Sequence, residues 1–190
     1  PANSFYTSAM ATASFLQSQR PRSTVYVIGS AGLLTALHGA GFVMTDREPD
    51  YFVLGDTIAY SYEQITLAVR LVRAGARFLA TSPDTSWTAG DGIAPATGAV
   101  ASLIHAASGV QPYYIGKPNP LMMRTALRYL DAHSETSVMV GDRMDTDIVA
   151  GIESGLETIL VLSGVTNREQ VEGFAYRPQR IVETVGEIEV

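Results

Sequence analysis

The sequence contains no cysteine. That excludes disulfides, thiolate nucleophiles and cysteine-based zinc sites. Charge is sparse, with 13 Lys and Arg against 19 Asp and Glu in 190 residues, a net −6. No block of Lys or Arg occurs, so nucleic acid is not an expected partner. An anionic ligand must instead be met by a few local cations, dipoles or a metal. No apolar run approaches the roughly 20 residues that cross a membrane, and no charged-then-apolar leader opens the chain. A soluble, cytoplasmic protein of one large or two small domains is expected.

What is present is an alternation of short apolar runs and helix-period segments. The runs Thr24–Ile28, Asp50–Gly55, Arg77–Ala80, Pro112–Ile115, the run from Val138 and Thr158–Leu162 read as strands, with Phe42–Met44 as a short one. Helices are expected over Thr7–Gln17, after Gly29-Ser30, over Ser61–Ala74, Thr97–Ser108, Leu121–Ala132 and Asp145–Ser154. The Gly- and Thr-rich stretch Thr85–Ile93, with the single tryptophan Trp87, reads as an exposed loop. The tail from Thr166 predicts a short helix, a strand near Arg180–Val182 and a last turn. Continuous apolar strands alternating with helices predict an α/β fold with parallel strands covered on both faces. Ligands of such sheets bind at the carboxyl ends of the strands. Thr81–Asp84, Gly116–Pro118 and Gly141–Asp147 all fall there.

The richest stretch is Val138-Met-Val-Gly-Asp-Arg-Met-Asp-Thr-Asp147. A buried strand ends at Gly141-Asp142, and a second carboxylate, Asp147, follows at the start of a helix. Upstream, Gly116-Lys117-Pro118 forms another strand-to-helix loop. An acid and a lysine on adjacent loops of one parallel sheet suggest a Mg²⁺ and phosphate site. Gly29-Ser30-Ala-Gly32 lacks the full glycine pattern of a phosphate loop and is set aside. His38, His105 and His133 show no metal-like spacing and are read as structural or surface residues. Tyr6, Tyr26, Tyr113 and Tyr114 are read as core packing.

These residues carry a resemblance. Gly116-Lys117-Pro118-Asn-Pro120, Val140-Gly141-Asp142 with Thr146-Asp147, Gly155–Thr158 and Leu162-Ser-Gly-Val165 resemble the haloacid dehalogenase superfamily. Its NagD-like, or para-nitrophenyl-phosphatase-like, branch is similar also over Phe5–Thr12 and Ala80–Asp84. The resemblance implies a Rossmann-like core with an inserted α/β cap. Mapped here, residues 20–111 would be the cap, and 1–19 and 112–190 parts of the core. The family's first motif, an Asp-x-Asp ending the first core strand, has no counterpart here. Asp145-Thr-Asp147 has that spacing but opens a helix. The core is therefore expected to lack its first one or two βα units, each of about 30 residues, and with them the nucleophile.

The resemblance implies Mg²⁺ as cofactor with Asp142 as its ligand, Lys117 neutralising the phosphoryl group, and Asp147 ordering metal-bound water or the lysine. Plainer readings stand beside these: a helix N-cap acid for Asp142, a dipole-favoured acid for Asp147, and a simple turn at Lys117. Arg143 and Asp145 are read as solvent-facing. Ser82 and Asp84 would contact substrate from the cap, or form an ordinary Ser-Pro-Asp turn. The implied activity is Mg²⁺-dependent hydrolysis of a small phosphorylated metabolite, a sugar phosphate or nucleotide, through an aspartyl-phosphate, by a protein that can form a homo-oligomer. Without the nucleophile this chain alone would be inactive. It would then be a shortened form, one half of a complemented core, or a pseudophosphatase that binds ligands without turnover.

Overall fold

The computed structural model describes residues 4–90 and 92–189. Pro1–Asn3, at the start of the expected core segment 1–19, and Asp91, in the expected loop 85–93, lie outside the described residues. The chain forms two compact units, residues 1–116 and 117–190.

The first unit opens with α1 (Ser8–Gln19), whose N-cap Thr7 accepts a hydrogen bond from the Met10 amide at 3.2 Å. There follow β1 (Thr24–Ile28), α2 (Ala31–Gly39), β2 (Val43–Met44), β3 (Tyr51–Leu54), α3 (Tyr62–Arg73) and β4 (Arg77–Ala80). After these come β5 (Ser86–Ala89), β6 (Gly92–Pro95), α4 (Thr97–Ser108) and β7 (Tyr113–Tyr114). Ser61 and Gln64 close a reciprocal capping box on α3, the device that stops its first turn from fraying. The main sheet is parallel throughout in the order β2-β1-β3-β4-β7. Its central strands are apolar along their length because helices cover both faces. Phe52 of β3 is fully buried and packs between the rings of Tyr26 and Phe78, at 5.8 and 5.0 Å between centroids.

Two sequence expectations are corrected here. The stretch 85–93 is not a plain loop: β5 and β6 pair as an antiparallel hairpin, Trp87 opposite Ala94. Its glycines and exposed apolar residues, Trp87 and Ile93, hide the alternation by which a strand is recognised. Tyr113 is not a core residue. It is half-exposed and stacks on Phe15 at 5.3 Å.

The second unit contains α5 (Pro120–Leu130), β8 (Val138–Gly141), a π-helical turn (Met144–Ile148) running into α6 (Val149–Glu153), β9 (Glu157–Val161), α7 (Arg168–Val171) and β10 (Arg180–Val182). Its sheet is parallel, in the order β10-β9-β8. Met144, Ile148, Leu160 and Val171 form a small core. Strand β8 is an edge among the described residues, with Val138 and Val140 exposed on one face. Strand β7 joins the first sheet and β8 the second, so the expected placing of the Lys117 and Asp142 loops on one parallel sheet does not hold. Two pleated edges, each in its own unit, feed them.

Candidate active site

Strand β8 ends at Gly141, where no larger residue fits. A β-carbon there would lie 2.2 Å from Cβ of Asp147 and 2.6 Å from its Oδ2. The chain then turns through Asp142 and Arg143 into the π-helical turn, where the amides of Asp147 and Ile148 both donate to the Arg143 carbonyl, at 3.0 and 3.1 Å. The extra residue in that turn folds Asp147 back over the end of β8. π-Helical turns of this kind often mark functional positions.

Asp147 is 4% exposed and fully engaged. Its Oδ2 accepts from the amides of Asp142, at 3.2 Å, and Arg143, at 3.1 Å. Its Oδ1 accepts from Lys117 Nζ at 2.5 Å. One buried carboxylate thus ties the lysine loop to the acid loop. Its side chain spans two loops as well as lying in the first turn of its own helical segment. Lys117 stands in a short, stiff connection. Its peptide bond to Pro118 is cis, and two residues later Asn119 caps α5 by accepting from the Leu121 amide at 2.9 Å.

Asp142 is held from the other side. Its Oδ2 accepts from the Val165 amide at 2.9 Å, and its carbonyl accepts from the Thr166 amide at 3.0 Å. Gly164 gives it room, since a β-carbon there would lie 2.1 Å from Oδ2. Thr166 also accepts from the Met144 amide through its hydroxyl, at 3.2 Å. The segment Gly164–Thr166 therefore positions Asp142, a role that sequence reasoning missed. Its signal is Gly164, a glycine shortly after the end of the buried strand β9.

Arg143 forks onto Asp145 with contacts of 3.0 and 2.8 Å. Those hydrogen bonds hold the Asp145 carboxyl below its ordinary range, against the opposing effect of burial. Asp145 is exposed, as expected, and Arg143 is half-buried. The pair leaves Asp142 and Asp147 as the inward carboxylates of this loop. Among the described residues no group of three or more His, Cys, Asp or Glu side chains gathers as a metal cage. Asp142 nonetheless suits a hard cation. One of its oxygens is fixed by an amide, and no hydrogen bond among the described residues ends on the other. Mg²⁺ commonly takes one or two protein carboxylates and fills its octahedron with water and phosphate oxygens.

Ser82 and Asp84 belong to the first unit and are bonded to each other, Ser82 Oγ donating to Asp84 Oδ2 at 2.8 Å and accepting from the Asp84 amide at 3.1 Å. This turn lies against α4, whose Gly98 amide donates to the Asp84 carbonyl at 2.7 Å. His38 and His133 are exposed, and His105 Nε2 lies 3.0 Å from Gln111 Nε2.

Residues 114–188 match a protein-family model described as "HAD-hyrolase-like". Over 188 residues the chain is 50% identical to the dihydroxyacetone phosphatase of Corynebacterium glutamicum, covering 99% of this chain and 68% of that protein. The chain belongs to the NagD-like branch of the haloacid dehalogenase superfamily. The ribonucleotide monophosphatase NagD of Escherichia coli K12 is 46% identical over 190 residues, all of this chain and 74% of that one. The solved structure of NagD from that strain superposes with a TM-score of 0.92 at the same identity and coverage. A double mutant of the thermostable NPPase from Geobacillus stearothermophilus gives 0.94 at 33% identity, over 100% of this chain and 75% of that one. The Rossmann-like α/β character expected of the haloacid dehalogenase fold is thereby borne out. No helix among the described residues is long and apolar enough to cross a membrane.

Proposed function

We propose that this protein acts as a Mg²⁺-dependent phosphatase of small phosphomonoesters, with its second unit as part of the catalytic core and residues 20–111 as the cap. The observation that carries this reading is Asp147, whose buried carboxylate fixes both Lys117 and the Asp142 loop. Relatives named dihydroxyacetone phosphatase, ribonucleotide monophosphatase and acid sugar phosphatase support the substrate class.

Asp142 would hold Mg²⁺ through the oxygen not taken by Val165. When bound, the ion supplies electrostatic stabilisation of charge on phosphate oxygens. The chain's own residues do the following. The Lys117 ammonium, locked by Asp147, meets a phosphoryl oxygen and lowers the repulsion felt by an attacking carboxylate. Asp147 itself is a positioning residue, since both its oxygens are engaged. Ser82 and Asp84 are proposed as substrate contacts of the cap. Transfer would pass through an aspartyl-phosphate on a carboxylate that lies outside this sequence. In the full-length protein Asp142→Asn keeps the size of the side chain and removes its charge. Phosphatase turnover should fall at least about a hundredfold. Turnover that persists in Asp142→Asn, at any Mg²⁺ concentration, would sink the assignment.

A further inference from the structure

At the carboxyl ends of β1, β3 and β4 the first unit has an open crevice of about 260 Å³. Three strand-end loops build it in step. The Gly55 amide donates to the Ile28 carbonyl at 2.7 Å, the Ser30 amide to the Asp56 carbonyl at 2.9 Å, and the Thr81 amide to the Leu54 carbonyl at 2.9 Å. Gly29 and Gly55 let Leu33 pack beneath as the floor, for a β-carbon at either would lie 2.8 or 2.5 Å from Leu33 Cδ2. The segment Gly29–Gly32, which is no phosphate loop by its pattern, is one wall.

Three polar side chains of this crevice, those of Ser30, Asp56 and Thr81, are uncommitted. Thr81 is 5% exposed, lines the crevice, and its hydroxyl makes no hydrogen bond among the described residues. Ser30 is the N-cap of α2, yet its side chain makes no capping bond. Asp56 has no ion pair or side-chain hydrogen bond among the described residues. The first-turn amides of Ser8, Ala9 and Gly32 open the helices α1 and α2 and lie beyond the intrahelical ladder. A hydroxyl or carboxylate left unpaired at the rim of a crevice is open to a hydrogen bond from whatever enters it.

The chemistry of the wall selects the ligand. None of the lining side chains is aromatic, so a nucleobase finds no stacking face. None is cationic, and Asp56 would repel an anion. What remains is a set of N–H and O–H donors beside one carboxylate acceptor. A hydroxyl both donates and accepts, so several hydroxyls on one small carbon chain match this set better than any other common group. At about 260 Å³ the crevice lies below the roughly 300–1,000 Å³ of sites for drug-sized ligands.

We propose that this crevice binds a small, uncharged polyhydroxylated molecule, with Asp56 accepting its hydroxyls and Ser30 and Thr81 pairing the others. On the phosphatase reading, on which this inference rests, a polyol or small sugar phosphate is then the preferred substrate class over a nucleotide.

The test has two arms on the full-length protein. In the first, ribitol is titrated at millimolar concentration and amide shifts are followed by ¹⁵N NMR. Shifts should concentrate at Ser30–Gly32 and Gly55–Asp56 and weaken about tenfold in affinity in Asp56→Asn and in Ser30→Ala. In the second, kcat/KM is measured for ribitol 5-phosphate and for para-nitrophenyl phosphate. Their ratio should fall about tenfold in Asp56→Asn. Ribitol shifts that are absent, or that lie elsewhere, overturn the proposal, as does a ratio unchanged by Asp56→Asn. Failure of the wild type to hydrolyse either ester overturns the phosphatase reading instead, and the ribitol titration then still decides the crevice.

Discussion

Both units end parallel strands in polar loops, yet the two sets of loops are built on opposite plans. After β8 the polar atoms, one oxygen of Asp142 aside, are already hydrogen-bonded. Asp147 accepts three hydrogen bonds, Asp142 is pinned by the Val165 amide, and Gly141 and Gly164 leave no spare space. After β1, β3 and β4 the hydroxyls of Ser30 and Thr81 and the carboxylate of Asp56 have no partner among the described residues. The first arrangement holds charge still, which is what electrostatic catalysis requires, since fixed dipoles and ions need not reorganise as charge develops. The second leaves hydrogen-bonding capacity for something that arrives. Rigidity and vacancy of partners are two signatures of function, and this chain separates them into different units.

The strongest way to break the contrast is Asp147→Ala. It strands two loop amides and releases Lys117, whose side chain is 38% exposed and can partly recover its solvation. The loss should be about 3 kcal/mol, less than for a wholly buried pair. The urea midpoint measures it, and a loss below about 1 kcal/mol would mean the loop is not held by Asp147. Next comes Gly141→Ala. Its new methyl meets the β- and γ-carbons of Asp147 rather than a flexible tip, so about 1–3 kcal/mol should be lost. Thermal melting checks this, and a neutral result would show that the loop can yield where the geometry says it cannot.

How far the two plans can be read beforehand depends on what makes each. The parallel strands are legible because burial on both faces demands continuous apolar runs, and Thr24–Ile28 stands where it was expected. Lys117, Asp142 and Asp147 are legible as candidates because each follows a strand at a Gly-marked turn. Their linkage is not, since Lys117 and Asp147 lie 30 residues apart and only the π-helical turn swings the acid back. That turn leaves no mark in the apolar period, which a helix of either pitch satisfies over five residues. The crevice is scattered across three strand-end loops and the start of α1, so no local window contains it. The repeated Gly-Ser and Gly-Asp pairs after β1 and β3, Gly29-Ser30 and Gly55-Asp56, were the available signal.

The units also differ in how they finish their sheets. Phe52, Phe78 and Tyr26 fill the first beneath α3 and α4, whereas the second leaves Val138 and Val140 exposed on edge strand β8. An apolar edge strand is a template for association. Val140→Lys should therefore leave the fold intact and shift this chain toward the monomer, read by sedimentation velocity across a concentration series. An unchanged distribution would mean that β8 is not the sticky edge, and would leave the expectation of a homo-oligomer without this surface.

The smallest effect is the most discriminating for the contrast. Gly32 is the second residue of α2, and a β-carbon there meets nothing within 4 Å. Alanine is the better helix residue, so Gly32→Ala should raise stability by about 0.5 kcal/mol. That is the opposite sign to Gly141→Ala at the end of β8 in the other unit. The same methyl, however, projects from a wall of the crevice. If the open space is there for a ligand, ribitol affinity should fall while the melting temperature rises slightly. Stability and binding would then move in opposite directions at one residue, as expected where chain stability is given up to keep room for a bound molecule. A rise in stability with unchanged ribitol affinity would make the space incidental, and the crevice would lose its claim to a ligand even though its geometry stood.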